Sequence, residues 1–239
     1  MRQARQVLLV YIRAPVASFR RPLDHNYQRT LPMPPPTTIL GIAGAALGLS
    51  DWELWSLCSP LRQTLVSVWM ESEPGRGRDM WTLLKIKAGK MERSPYIREL
   101  LFFVRYVLVY GDEERVLKRL QEAFLDPVYP LSLGREDELA MVEKIELAEA
   151  VECKPRFWGT ILPGDIRQMS IRLCNLRPGL RLEPPIVETL PLRFSVDAKR
   201  VRHPQELRPF SFLPLGFKVE VPDIKALQYQ GRSFTWLNS

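Results

Sequence analysis

QVLLVYIRAPVASFRRPLDHNYQRTLPMPPPTTILGIAGAALGL, residues 6–49, is the stretch on which the fold reading turns. Residues 6–13 are rich in β-branched and aromatic side chains, which fits a buried strand. Pro15, Pro22, Pro32, Pro34, Pro35 and Pro36 then exclude a helix and leave a long loop. From 37 to 49, Ile39, Leu40, Ala43, Ala46 and Leu47 recur at helical spacing, with Thr37 or Thr38 placed to cap the start. Gly41, Ala45 and Gly48 make one side of this helix smooth. That side suits tight packing on a sheet, or the approach of another helix or a nucleic-acid backbone.

The rest of the 239 residues bounds the class. Hydrophobic residues make up 46% and charged residues 26%, enough to bury a sizeable core and too apolar for a disordered chain. The longest apolar stretches, 39–49 and 100–110, are too short or too interrupted for a bilayer, so no membrane association is expected. Arg13 cuts short the first apolar run and no cleavage site follows. No signal peptide is therefore expected, and a cytoplasmic location follows by default. Cys58, Cys153 and Cys174 lie far apart without a CxxC pair, and no GxxxxGK[ST], GxSxG or HExxH occurs. No metal site, disulfide framework or cofactor is expected. His25 and His203 are the two histidines, which leaves acid–base chemistry few candidates.

Charge is unevenly spread. The chain carries +7 overall; residues 1–30 and 74–98 carry +5 each, residues 112–152 carry −7, and residues 153–239 carry +7. Such segregation suggests basic faces for a polyanion, with the acidic stretch turned away from it or serving as a solvated face. The bases are mostly arginines, which suit bidentate phosphate contacts and stacking on nucleobases.

Further along, residues 64–71 read as a strand and residues 72–98 as an insertion rich in Gly, Arg and Lys. Its segment 81–87 alternates as one arm of a β-hairpin turning near Ala88-Gly89. Residues 100–110 are a long apolar strand. Residues 112–125 form an amphipathic helix with Val116, Leu117, Leu120, Ala123 and Phe124 as its stripe. Residues 128–133 read as a short strand, turned by Gly134. The order βαβ–insertion–βαβ is that of an α+β, ferredoxin-like (RRM-like) domain, expected over 1–150. Residues 151–239 are expected to form a β-rich C-terminal subdomain.

Ser18-Phe19-Arg20, Thr30-Leu31-Pro32 and the run Pro35-Pro36-Thr37-Thr38-Ile39-Leu40-Gly41-Ile42-Ala43-Gly44-Ala45-Ala46-Leu47-Gly48 resemble the N-terminal signature of the Cas-five family of CRISPR-associated proteins (RAMP superfamily). Pro130-Leu131-Ser132-Leu133-Gly134-Arg135-Glu136 resembles its mid-chain turn. The resemblance covers about 1–150. It implies a subunit at one end of a type I Cascade complex that holds the 5′ handle of crRNA, for antiviral defence. The inserted hairpin would be a thumb folding over the RNA. It implies as partners crRNA, a Cas-seven backbone subunit and a Cas-eight-type large subunit, with target DNA met only through the complex. Most members do not cut RNA; those of one subtype process the precursor with a Tyr/Lys/His-type site.

The expected RNA contacts are Arg13, Ser18, Phe19, Arg20, Arg21, His25, Tyr27, Arg29, Thr37, Thr38, Gly134 and Arg135. Cations follow phosphates and planar groups stack on splayed bases; the start of a helix also offers free N–H groups to a phosphate. In the thumb, Arg76, Arg78, Lys85, Lys87, Lys90 and Arg93 would meet RNA or the backbone subunit. No catalytic residue is expected, because no Lys-His pair occurs: the histidine contexts are Asp24-His25-Asn26 and Arg202-His203-Pro204. The alternative is a metal-independent endoribonuclease using His25 and Tyr27, and a third reading is a protein-interaction domain that binds no RNA.

Overall fold

The computed structural model describes residues 6–24, 27–87, 90–174 and 183–239; within the hairpin, the side chains of Lys85, Lys87 and Lys90 lie outside it. The first part of the chain runs β1 (Gln6–Ala17), β2 (Tyr27–Gln28), α1 (Pro36–Leu47), α2 (Asp51–Trp55), β3 (Leu65–Met70), β4 (Gly75–Lys87), β5 (Lys90–Gly111), α3 (Glu114–Leu125) and β6 (Met141–Glu149). The main sheet has the order β6-β1-β5-β3, each neighbour antiparallel. α1 lies in the connection from β1 to β3, and α3 joins β5 to β6.

The helices cover one face of this sheet. Ile39, Ala43 and Ala46 of α1 and Leu117, Leu120 and Phe124 of α3 pack with Leu8, Val10, Ile12, Val66 and Leu108. The residues between them in β1 and β5, Val7, Leu9, Val107 and Val109, point to the other face and pack against Leu227, Phe234 and Trp236. Both faces of the central strands are thus buried, which is why β1 and β5 read as nearly unbroken apolar runs.

β5 is the spine. Over 22 residues it pairs with β3 and β1 at its inner end and with β4 and the short parallel β2 at its outer end. The hairpin anticipated within 72–98 is present: β4 and outer β5 stay in register from Gly75 opposite Phe102 to Lys87 opposite Lys90. Met80, Leu84, Ile86 and Met91 are exposed on its two strands.

The remainder is strand-rich: β7 (Val151–Cys153), β8 (Arg156–Phe157), β9 (Ile161–Pro163), β10 (Arg172–Cys174), β11 (Ile186–Val196), β12 (Arg202–Phe212), β13 (Lys218–Glu220), β14 (Ala226–Tyr229) and β15 (Arg232–Phe234). They form three small antiparallel sheets, ordered β10-β13-β8, β11-β12-β9 and β15-β14-β7. Leu190, Phe210 and Phe212 enter the same core as α1. Among the described residues no helix is long and apolar enough to cross a membrane.

Three local expectations are corrected. Neither Thr37 nor Thr38 caps α1: Pro35 is the N-cap and no side chain caps it, because the Pro36 ring fixes the first turn and the Thr38 and Ile39 N–H groups reach the Pro35 carbonyl. Gly48 is not part of a helix side; it ends α1 in the left-handed conformation (φ 73°), a role that favours glycine. No strand forms over 128–133. The strand after α3 is β6, whose pairing jumps from Tyr11–Lys144 to Ile12–Val142 and leaves Glu143 as a bulge. Apolar residues Val142 and Ile145 are therefore three apart, which breaks the period-two signal of a strand.

Candidate nucleic-acid interface

The loop after β1 is pinched at its neck. The Leu31 N–H donates to the Phe19 carbonyl at 2.7 Å, and the Phe19 N–H donates to Thr30 Oγ1 at 2.8 Å. Phe19 and Leu31 are buried, so the neck is an extension of the core. Two tyrosines of β5 anchor the chain from the neck to α1. Tyr106 donates its hydroxyl to the Pro32 carbonyl at 2.7 Å and Tyr110 to the Ile39 carbonyl at 3.0 Å. Burial pushes both phenols well above their ordinary pKa, so both stay donors.

Inside the loop, Arg29 clamps Asp24 through its main-chain N–H (2.7 Å), Nε (3.2 Å) and Nη2 (2.8 Å), and holds that carboxyl below its usual range. Arg21 is tied to Glu188 of β11 at 2.5 Å, both side chains mostly buried. Arg20 is exposed, with no side-chain partner among the described residues. β2 then lays Tyr27 beside Ile97 of the hairpin. The Tyr27 hydroxyl donates to Glu99 at 2.8 Å, and this bond raises its pKa.

The two sequence blocks that carry the family resemblance meet here. Ser18 donates its hydroxyl to both oxygens of Glu138, at 2.7 and 2.8 Å, and the Arg135 N–H donates to the same carboxylate at 2.9 Å. Gly134 sits between them at φ 133°, and a Cβ there would collide with the Ser18 carbonyl oxygen. A glycine is required on both counts. Glu138 is 4% exposed. It belongs to the acidic stretch 112–152, and its buried carboxylate ties Ser18 to Arg135 beneath the loop.

At the root of the hairpin the Arg98 guanidinium lies 3.4 Å from the centre of the Trp81 ring, and that of Arg135 lies 5.1 Å from it. Asp79 accepts from the Trp81 indole N–H, and Arg98 Nη2 stands 3.4 Å from the same carboxylate. Arg98 is 6% exposed, yet its Nε and Nη1 have no hydrogen-bond partner among the described residues. Two donors of a buried cation without acceptors are costly, on the order of 1–3 kcal/mol or more. Arg78 lies 5.9 Å from the Tyr27 ring, and Arg76, Arg78, Gly77, Thr30 and Glu99 line a shallow recess beside it.

Of the residues singled out from sequence, Ser18, Phe19, Arg20, Tyr27, Arg76, Arg78, Gly134 and Arg135 share this region. Arg21 and Arg29 are close by but already paired. Thr37 and Thr38 line a separate cleft of about 490 Å³ that Gly134 borders, and Gly41 faces it with nothing within 4 Å of where a Cβ would be. Arg13 lies apart on β1, paired to Glu143 at 3.0 Å. Arg93 is exposed on outer β5, opposite Leu84. His25 and the expected turn at Ala88-Gly89 lie outside the described residues. His203 pairs with Asp197 at 3.0 Å, near the turn between β11 and β12. Sequence reasoning missed Asp79, Trp81, Arg98, Glu99 and Glu138. Trp81 carried a signal, an indole on a hairpin arm without a core to fill; Glu138 stood in a run of acids and carried none.

A family model described as CRISPR-associated protein (Cas_Cas5) matches residues 7–164, more than half of the chain. Among solved structures, a chain of a CRISPR RNA-guided surveillance complex is similar at 20% identity and TM-score 0.57, with 91% of each chain covered. A CRISPR protein from Archaeoglobus fulgidus is similar at 13% identity and TM-score 0.51, with 98% of this chain and 100% of that one covered. At these identities the likeness is one of fold. No curated protein matches.

Proposed function

Because the chain belongs to the Cas5 family of CRISPR-associated proteins, we propose that it is a non-catalytic subunit of a type I Cascade complex that clamps the 5′ handle of crRNA. The antiparallel order β6-β1-β5-β3 with two helical crossovers supports a ferredoxin-like domain, and the β4–β5 hairpin supports its inserted thumb. The observation that carries the RNA reading is the root of that hairpin. Trp81 is 36% exposed, two guanidiniums lie against it, and one of them has two unpartnered donors. An indole and arginines together supply stacking for a splayed base and donors for a phosphate or base oxygen.

The exposed apolar residues of the outer hairpin, Met80, Leu84, Ile86 and Met91, support contact with a protein, the Cas-seven backbone subunit that this one would cap. A Cas-eight-type large subunit would pack nearby and target DNA would be met through the complex. Tyr27, which the ribonuclease alternative needs, is a donor to Glu99 with a raised pKa and so a poor base near neutral pH.

The test is binding and cleavage of labelled repeat RNA in EDTA. The full chain should bind handle RNA better than a scrambled strand, without cutting it. Trp81→Ala should weaken binding about 10-fold, the loss of one stacked base. Equal affinity for both strands, unaffected by Trp81→Ala, would remove the handle assignment. Cleavage at the handle boundary that Tyr27→Phe or His25→Ala abolishes would establish the ribonuclease instead.

A further inference from the structure

A second basic recess lies in the C-terminal strands. In the sheet β10-β13-β8, Val219 and Phe157 face inward and are buried, so alternation sends Lys218, Glu220 and Arg156 to the outer side. Arg172 and Arg156 stand opposite Glu220 from the two flanking strands, and Arg156 pairs with it at 2.8 Å. Trp158 follows β8 directly. The seam between this sheet and β15-β14-β7 opens as a cavity of about 420 Å³ lined by Lys154, Trp158, Lys218, Gln228 and Ser233, among others. None of the described residues lining it is acidic.

The two cations over Trp158 differ in kind. Arg232, 4.8 Å from the ring centre, is fixed by a 2.8 Å bond to the Met70 carbonyl. Lys218 lies 3.9 Å from the ring centre and has no carboxylate partner among the described residues. Its flexible stem lets the ammonium swing from the indole to an incoming anion, which frees a ring face. Lys154 is exposed, also with no carboxylate bound to it among the described residues. The cavity is of the size that holds a small ligand, about 300–1,000 Å³. Gln228 and Ser233, paired across β14 and β15, add a neutral amide and a hydroxyl at its wall.

We infer that this recess is a nucleotide-binding site, distinct from the hairpin root, in which a base stacks on Trp158 and its phosphate is held by Lys154 and Lys218. The nucleotide is either a unit of a single strand or free; the chemistry is shared, and the experiment separates the two. None of the residues that carry the proposed handle contacts takes part.

Photocrosslinking of the full chain to a 4-thiouridine-labelled oligonucleotide, mapped by mass spectrometry, tests this. A crosslink on the peptide containing Trp158 is expected, persisting in Trp81→Ala and lost in the double variant Lys154→Glu/Lys218→Glu. The double variant should melt as the parent does, and its single-strand salt slope should fall by about 0.7, the share of the one phosphate that both lysines hold. Uridine monophosphate added in excess distinguishes the sources: it removes the crosslink at once if the site prefers the free nucleotide, and a longer oligonucleotide does so better if the site takes a strand. Crosslinks confined to the β4–β5 hairpin, with the slope unaltered in the double variant, overturn the proposal and leave the handle reading standing. Loss of the hairpin crosslinks alone does the reverse.

Discussion

Two segments of this chain hold the same formal charge and use it differently. Residues 1–30 and 74–98 each carry +5. In the first, the loop consumes its own cations: Arg21 is spent on Glu188 and Arg29 on Asp24, and Arg20 is left over. In the second, Arg76, Arg78 and Arg93 are exposed with no carboxylate partner among the described residues. The first segment builds with Arg21 and Arg29, whereas the second presents three of its arginines and buries only Arg98, beside Asp79 and Trp81. Formal charge read from sequence therefore overstates what a loop offers a polyanion; the paired fraction must first be subtracted.

The largest effect should come from breaking the floor under the loop. Gly134→Ala places a Cβ at a positive φ against the Ser18 carbonyl and the Glu138 carboxylate. Strain and overpacking together should cost about 3 kcal/mol, a fall in melting temperature of about 6–12 °C for a chain of this size. Handle binding should fall with it, although no hairpin residue is touched. A calorimetric melt within 1–2 °C of the parent, roughly the shift of half a kcal/mol, would show that the loop is not held from below.

Next comes the builder against the presenter. Arg21→Ala leaves Glu188 largely buried and unpaired and should cost roughly 1–3 kcal/mol, below the range for a fully buried pair. Glu188→Ala in the same chain should restore part of that loss, and the salt slope of RNA binding should stay where it was. The triple change of Arg76, Arg78 and Arg93 to Ala should do the opposite. The slope should shrink by up to about 2, with the melt unmoved, because exposed unpaired cations add little to stability. If Arg21→Ala flattens the slope while the triple variant does not, the two segments have been assigned the wrong way round.

How far the sequence reveals this depends on whether a residue's partner is near in the chain. β1, α1, the hairpin and α3 rest on local periodicity and turn residues, and their positions follow from it. β6 escaped because the bulge at Glu143 shifts Val142 and Ile145 out of alternation, and its outer face carries Lys144 and Glu146. Ser18 and Gly134 stand out as residues, but what joins them is Glu138, 120 positions from Ser18. Arg98 reads as one more hairpin cation until the register places it opposite Asp79 and against Trp81. Sequence-local reasoning supplies the arginines; only the pairing of distant strands says which are spent.

The smallest effect is a pH response confined to the loop. Arg29 holds the Asp24 carboxyl below its ordinary value of about 3.9. In the opened loop that carboxyl takes up a proton more readily, so the clamp contributes above about pH 4 and is lost as pH falls through the lower folded value. The Tyr27–Glu99 bond has the opposite sign: a phenol pKa raised above 10 means the bond is intact below that pH and released as pH rises through the folded value. Amide exchange reads the acid limb directly, because the Arg29 N–H donates to Asp24. Its protection should fall as pH drops below about 4, while that of Phe19, whose N–H donates to the uncharged Thr30 hydroxyl, should not. Asp24→Asn should remove the acid response and leave the Phe19 amide as it was. If Arg29 and Phe19 lose protection together, the loop opens as one unit at its neck and the Asp24–Arg29 pair is only a passenger.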